Sequence, residues 1–277
     1  MIGNFIGLIF AIAVGSAYAK GICDDFYHEL SYPPLNINGG TICFVLEPVL
    51  DAKTKSPIGV NAISLYYIER GGAPAKAEGR GLLYDDAPGK IIDAFSLNVG
   101  RDRTENIFVI HSIDVRESLA EPNSSGEFYS VDVFDIKGKA LRRDERVSDW
   151  FGSDYSFLSN GSRLVYKYPY QSRDDVRRAT ESPFALLMEG DSRIAVGVKH
   201  KAYLFGEPDI RNRTKKYLVK GERSVVEKIT AGWCRINYSV GAKLLEMWLT
   251  CGALDPKLPA KKIDVSVDIP TPNPGAR

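Results

Sequence analysis

Few residues of this 277-residue chain stand out as candidates for acid–base chemistry. We consider the three histidines, His28, His111 and His200, and the adjacent acids Asp24-Asp25 and Asp85-Asp86. His111 stands in an apolar run, which favours a buried sheet residue over a general base. Adjacent side chains on a strand point to opposite faces, so an acidic pair converges on one proton only within a turn. We expect these side chains to be structural, with the paired carboxylates of a wall-cleaving glycosidase as the alternative.

The sequence contains none of the common signatures of catalytic and metal sites. There is no G-x-S-x-G elbow, H-E-x-x-H motif or phosphate-binding loop, and no C-x-x-C pair that would hold zinc. A cysteine peptidase needs a lone cysteine with a histidine downstream, and Cys43 meets that description only if it is unpaired. The sequence therefore predicts a protein without catalytic residues, metal or cofactor. An enzyme with an unrecognised site is a less favoured hypothesis.

The amino terminus predicts export. Residues 5–14 form an apolar run that is about half as long as a membrane span. Ala17-Tyr18-Ala19 follows, with the small-x-small pattern that signal peptidase accepts, so residues 1–19 are interpreted as a signal peptide and Lys20 as the first mature residue. Residues 1–4 carry no Lys or Arg, and a buried element at the start of a domain is the alternative. We expect a periplasmic or secreted protein.

Four cysteines remain after the predicted signal, namely Cys23, Cys43, Cys234 and Cys251. An even number of cysteines in an exported chain favours disulfides. Of the three possible connectivities, Cys23–Cys43 with Cys234–Cys251 closes the shortest loops and keeps each bridge within one folding unit. Free buried thiols are the alternative.

The charge balance argues against partners that carry many negative charges. Lys and Arg total 36 against 35 for Asp and Glu, so the chain has no net basic surface for nucleic acid or an anionic membrane. Beyond the amino-terminal run, no segment approaches the apolar length of a membrane span. We therefore predict no nucleic-acid partner and no stable membrane insertion.

Short apolar or alternating runs predict a mainly β protein. They lie at 41–46, 61–68, 81–84, 91–99, 106–115 and 128–136, and a further hairpin is predicted at 153–170 with its turn at Asn160-Gly161. The alternation in 128–136 indicates a strand with one face on a core and one in water. Residues 20–38, which contain Pro33-Pro34, are predicted to be irregular, and the charged run 139–146 to be an exposed hairpin face.

One helix is predicted, and it completes the domain organisation. Ser172 is a suitable cap, Asp174 and Asp175 lie in the first turn, and Pro183 should kink or divide the helix. The Pro-rich tail at 257–277 is predicted to be disordered. The mature chain is thus predicted to have a β-rich domain at 20–190 with one short helix and a small β domain at 195–256.

Residues 199–254 carry an ordered set of strand motifs. They are Lys201-Ala202-Tyr203-Leu204-Phe205, then Lys216-Tyr217-Leu218-Val219-Lys220-Gly221-Glu222, then Gly232-Trp233-Cys234-Arg235-Ile236, and finally Met247-Trp248-Leu249-Thr250-Cys251. With these motifs the segment resembles a bacterial SH3-like domain. The resemblance implies a small β-barrel, and short strands separated by turns agree with that expectation.

Aromatic residues are the candidate binding residues of this segment. They are Tyr203, Tyr217, Trp233, Tyr238 and Trp248. SH3-like surfaces bind extended peptides through aromatic grooves, whereas packing in the core is the alternative for Trp233 and Trp248. A second aromatic group, Trp150, Phe151 and Tyr155 with Phe157, Tyr166, Tyr168 and Tyr170, could form either an interface or a β core.

Together these expectations favour a non-catalytic binding protein of the bacterial envelope. The resemblance implies peptidoglycan peptide or an envelope protein as the ligand. The alternative is a periplasmic immunity or inhibitor protein that blocks a secreted toxin or a cell-wall hydrolase. Export, disulfides and aromatic loops fit both hypotheses, so the sequence does not separate them.

Overall fold

The computed structural model describes residues 21–27, 29–100, 104–116, 121–190, 193–240 and 243–257. Strands dominate these residues and the helices are short, so the predicted mainly β class is confirmed. The predicted signal peptide at 1–19, His28 and all but the first residue of the predicted tail at 257–277 lie outside the described residues. Within the described part, no helix is long and apolar enough to cross a membrane.

The first sheet is antiparallel and lies at the amino-terminal side of the fold. It contains, in spatial order, β1 (Leu30–Ile37), β2 (Gly40–Leu50), β3 (Pro57–Glu69) and β4 (Ala75–Lys76). The prediction that residues 20–38 are irregular is wrong for β1, because Pro33-Pro34 lies on an edge strand, where a missing N–H is tolerated. Residues 81–84 are not a strand, because only Leu82 is buried there and no strand pairs with them.

Two local features fix the start of this sheet. Cys23 and Cys43 form a disulfide with Cα atoms 5.8 Å apart, which ties the helical turn at 21–24 to β2. The neighbouring strand β3 lies so close to Gly40 that a Cβ atom at this position would be 2.3 Å from the carbonyl oxygen of Ile68. Only glycine fits at that position without a shift of the backbone.

The second sheet is the middle layer of the fold. It contains β5 (Lys90–Val99), β6 (Thr104–Asp114), β7 (Glu127–Lys137) and β8 (Ala140–Arg143), and β9 (Ser153–Tyr155) also pairs with β7. Ile107 and Val109 pack with the first sheet, whereas Phe108 and Ile110 pack with the carboxyl-terminal part of the chain. Because both faces are covered, the prediction that β7 keeps one face in water is wrong.

A buried ion pair satisfies the polar residues of β7. Asp132 accepts hydrogen bonds from Arg143 Nε at 3.0 Å and Nη2 at 2.7 Å, and from the Ser130 hydroxyl at 2.9 Å. Arg143 is 7% exposed, so the prediction that 139–146 is an exposed hairpin face is wrong at this residue. Its guanidinium is drawn inward because the Asp132 carboxylate would otherwise be buried without a partner.

Two short helices connect the sheets. α1 (Glu145–Phe151) was not predicted, and its N-cap Asp144 accepts a hydrogen bond from the Val147 N–H at 3.0 Å. α2 (Arg173–Thr180) starts at the predicted cap Ser172, and a separate 3-10 helix spans Pro183–Met188. The helical segment is therefore divided before Pro183.

The third sheet is formed by the carboxyl-terminal part of the chain. Its strands are β12 (Ile194–Val198), β13 (Ala202–Phe205), β14 (Arg213–Leu218), β15 (Arg223–Thr230), β16 (Trp233–Val240), β17 (Lys243–Thr250) and β18 (Leu254–Asp255). Their spatial order is β14-β13-β17-β16-β15-β12-β18, and the ladder of the described strands does not close into a barrel. The Cys234–Cys251 disulfide, with Cα atoms 5.1 Å apart, links β16 to a 3-10 helix at Cys251–Ala253.

One hydrophobic cluster joins the second and third sheets. It runs from Phe108 through Phe151 of α1 and Tyr166 to Trp233 of β16. Tyr166 belongs to a separate hairpin of β10 (Phe157–Asn160) and β11 (Arg163–Lys167), which lies within the hairpin predicted at 153–170. The residues before about 190 and those after it therefore bury apolar surface against each other. The predicted division into two domains near residue 190 stays a prediction.

Candidate functional site

Strand register places five aromatic side chains on one face of the third sheet. Phe205 on β13 pairs with Trp248 on β17, and Tyr203 pairs with Tyr217 on β14. Trp233 on β16 contacts Phe205, with ring centroids 4.9 Å apart. These five residues, called the aromatic row below, cross four neighbouring strands. The opposite face carries Leu204 and Leu249, which are fully buried.

The aromatic row includes four of the five predicted binding residues. Tyr238 is excluded, because it lies five positions after Trp233 on β16 and so points to the other face, where it packs against the core. Tyr217 is 44% exposed, whereas Trp233 is only 1% exposed and stacks on Tyr166. Trp233 therefore fits both the binding and the core-packing alternative, since its ring is packed in the core and also lies at the end of the aromatic row.

Cationic side chains lie over the exposed end of the aromatic row. The Arg213 guanidinium is 3.5 Å from the centroid of the Tyr203 ring. The Lys201 ammonium is 4.0 Å from the Tyr217 ring and 5.2 Å from the Tyr203 ring. Cation–π contacts of this kind hold exposed rings in place, so this end of the row is ordered before any ligand binds.

A cleft of about 1080 Å³ opens beside the aromatic row. Tyr203, Phe205 and Trp233 form part of its lining. The other side is formed by β9, by the β10–β11 hairpin and by the loop at 208–211. The amino-terminal and carboxyl-terminal parts of the chain thus both contribute to one cleft, whose size is in the range of small-ligand and peptide sites.

The β10–β11 hairpin, which lines the cleft, carries an unpaired strand edge. β11 pairs with β10 on one side, and none of the described strands pairs with its other side. Arg163, Leu164 and Val165 of β11 line the cleft, and Leu164 is 56% exposed. An exposed strand edge with apolar side chains is a template for pairing with another extended segment.

Asp154 on β9 is the unusual acid of the cleft. It accepts a hydrogen bond from the N–H of Tyr155 at 2.8 Å, and no salt bridge reaches it within the described part of the chain. Burial, with a smaller contribution from Asp209, raises its pKa from 3.8 to about 6. The nearby Tyr166 hydroxyl donates its proton to the Ala231 carbonyl oxygen at 2.8 Å, and burial raises the pKa of Tyr166, so this phenol stays neutral.

The other acids of the cleft are already paired. Arg211 Nε donates to both carboxylate oxygens of Asp209, at 3.0 and 2.8 Å, and its Nη1 donates to Glu121 at 2.7 Å. The Arg211 guanidinium lowers the pKa of Asp209. Asp154 is therefore the acid of this group that forms no salt bridge within the described part of the chain.

The residues singled out from the sequence for acid–base chemistry lie elsewhere. His111 is buried, its Nε2 is 3.2 Å from the Pro88 carbonyl oxygen, and burial lowers its pKa. Arg116 pairs with Asp85 and Asp86 at the surface, while Asp24-Asp25 and His200 are exposed. Among the described residues, no three His, Cys, Asp or Glu side chains cluster as a metal site would require.

Sequence reasoning missed Asp154, Arg213 and the β11 edge. The aromatic segment at 150–170 was singled out, and the structure divides its members: Trp150 and Phe151 are buried, whereas Tyr155 lines the cleft. The signal for Asp154 was present as an acid between the aromatic Phe151 and Tyr155. The cleft that it lines is shared with the loop at 208–211, which is distant in sequence.

The chain was also compared with known proteins. No family model matches it, and no curated protein or solved structure is significantly similar to it.

Proposed function

We propose that this protein binds an extended peptide in the cleft, without catalysis, in the bacterial periplasm or outside the cell. The observation that carries the proposal is the combination of an unpaired β11 edge with the aromatic row in one cleft. Strand addition provides main-chain hydrogen bonds to any extended peptide, and neighbouring side-chain pockets then provide selectivity. The cleft offers both elements.

The ligand class follows from the SH3-like resemblance. The third sheet supports that resemblance through its order of elements. β12 is followed by the β13–β14 hairpin and by the three-stranded meander β15 to β17, and after a 3-10 turn β18 returns to pair with β12. SH3-like modules of bacterial envelopes bind peptidoglycan peptides, so a stem peptide or a segment of an envelope protein is the proposed ligand.

The compartment is part of the same proposal. Two disulfides are typical of proteins that work in an oxidising compartment. With the predicted signal at 1–19, they favour export to the periplasm or beyond. Mass spectrometry of the protein from the envelope fraction should identify Lys20 as the first residue. A chain from the soluble cytoplasm that still begins at Met1 would contradict export.

Retention on purified peptidoglycan tests the binding proposal. Tyr203→Ala should weaken binding by about 2 kcal/mol or more, which is about 30-fold, because aromatic anchors dominate such interfaces. Tyr217→Ala should weaken binding less, because that ring contacts Tyr203 but lies outside the lining of the cleft. The melting temperature should change little for Tyr217→Ala, since that ring is 44% exposed. Tyr84→Ala, at an equally exposed ring outside the cleft, is the matched control. Equal retention of all the variants would contradict the proposal.

A second candidate function has its own observation. Phe157 and Leu164 on the β10–β11 hairpin are 42% and 56% exposed, and exposed apolar groups of this kind often mark a protein interface. An immunity or inhibitor protein would use this hairpin to cover a secreted toxin or a wall hydrolase. Tight one-to-one association with such an enzyme, combined with no retention on peptidoglycan, would favour this second function.

A further inference from the structure

The cleft contains one carboxylate that no salt bridge neutralises among the described residues. Asp154 is half-buried, accepts the Tyr155 N–H and lies beside the Tyr166 hydroxyl, and Arg211 attracts it only from beyond salt-bridge distance, whereas Asp209 and Glu121 pair with Arg211 directly. Removing a charge from water without a partner costs several kcal/mol, so proteins rarely keep such a group where nothing uses it. Partly buried acids in clefts are therefore candidates for functional sites.

The charged groups nearest to Asp154 leave its carboxylate open to a cation. The groups that face it are Tyr166 from β11, which is neutral, and Asp209 and Arg211 from the loop at 208–211. Glu121 pairs with the same guanidinium, so near Asp154 two acids share one cation. Arg163 and Arg213 line other parts of the cleft and balance its charge as a whole, so it is the position of Asp154 that favours a ligand cation.

The Trp233 ring lines the same cleft and stacks on Tyr166, with ring centroids 5.7 Å apart. Its indole nitrogen is buried, so it does not contact a ligand directly, but it lies close enough to the site to report on a bound ligand.

We propose that Asp154 receives an ammonium group of the bound peptide and so determines which peptides the cleft accepts. This inference rests on the proposed peptide-binding function and adds the chemistry of its recognition. The ammonium belongs either to the peptide amino terminus or to the side chain of a diamino acid. A charge-assisted hydrogen bond to the carboxylate fixes the register of the peptide along β11.

The same contact makes binding depend on pH. Because burial raises the pKa of Asp154 to about 6, most of the carboxylate is ionised at about pH 7.5, and only about a tenth at about pH 5. A lysine ammonium stays fully charged over that range, and a peptide amino terminus, whose ordinary pKa is about 7.7–8.0, is still mostly charged at about pH 7.5. Affinity for an amine-bearing peptide should therefore fall about tenfold between these two pH values.

Three synthetic peptides test the proposal by calorimetry at both pH values. The probes are a stem pentapeptide with lysine as its diamino acid, the same peptide acetylated at its amino terminus, and the same peptide acetylated at the lysine side chain. Blocking the amine that Asp154 receives should weaken binding to the wild type by about tenfold or more. Asp154→Asn should bind all three alike and lose the pH dependence. Asp149→Asn, an exposed charge change outside the cleft, should behave as the wild type.

The outcomes separate this inference from the proposed function. Peptide binding that keeps its amine selectivity and pH dependence in Asp154→Asn would overturn the inference and leave the binding function intact. If no peptide binds, 1,5-diaminopentane is titrated while the NMR resonance of the Trp233 indole N–H is followed. A shift in the wild type but not in Asp154→Asn would support the amine site and overturn the stem-peptide ligand. No shift in either protein would overturn both.

Discussion

Replacing Asp154 by Asn should make the free protein more stable at neutral pH. The side chain has a pKa of 3.8 in an exposed chain and about 6 in the fold, because burial disfavours the charged form. That difference corresponds to about 3 kcal/mol, with which the ionised carboxylate opposes folding. Asn is neutral and keeps an oxygen that can accept the Tyr155 N–H.

The sign of the pH dependence distinguishes this effect from a general change in packing. Because the folded-state pKa of Asp154 lies above its unfolded value, the wild-type protein keeps its full stability below about pH 4, where Asp154 is protonated in both states. Its free energy of unfolding then falls as the pH rises through about 6 and the buried carboxyl ionises. Urea unfolding of wild type and Asp154→Asn should therefore differ by about 3 kcal/mol at about pH 7.5 and by less than about 1 kcal/mol near pH 4. Asp149→Asn serves as the control. A variant that is less stable than the wild type at neutral pH, or a pH-independent difference, would refute the reasoning.

Three further predictions concern the fold. Trp233→Ala should cost about 3–5 kcal/mol of stability, measured by urea unfolding, because the ring is 1% exposed; a loss below about 1 kcal/mol would mean that the ring is not in the core. Arg143→Ala should cost about 3–5 kcal/mol, because it leaves a buried carboxylate without its partner, and Arg142→Ala, at the exposed neighbouring position, should cost little. Replacing Cys234 and Cys251 by Ala should cost about 3 kcal/mol, and peptide mapping without reductant that finds either one in another bridge would contradict the pairing.

The sequence predicts those features of the fold that depend on local patterns. Ser172 caps α2 as expected, since capping needs only a side-chain oxygen within one turn of the chain. The bridges Cys23–Cys43 and Cys234–Cys251 form because the short loops bring the helical turn at 21–24 onto β2 and the 3-10 helix at Cys251–Ala253 onto β16. The face of Tyr238 was also predictable, because an odd separation from Trp233 on one strand reverses the side-chain direction.

The features that were missed depend on residues that are distant in sequence. Pro33-Pro34 is compatible with β1 only because this strand lies at the edge of its sheet, and strand order does not follow from local pattern. Arg143 is buried by its pairing with Asp132 on the neighbouring strand. The raised pKa of Asp154 depends on its burial in the cleft, which Tyr166 and the loop at 208–211 help to line or surround, so it could not be inferred from its neighbours along the chain.

The central claim is that the cleft between β11 and the aromatic row binds an extended peptide. A stem peptide that carries a photoreactive group, cross-linked to the wild type and mapped by mass spectrometry, tests this claim most directly. We predict adducts on Leu164 or Val165 of β11 and on Tyr203 or Phe205 of the aromatic row, with excess unlabelled peptide abolishing them. Adducts confined to other surfaces, or no more labelling than with a peptide of scrambled sequence, would contradict the account.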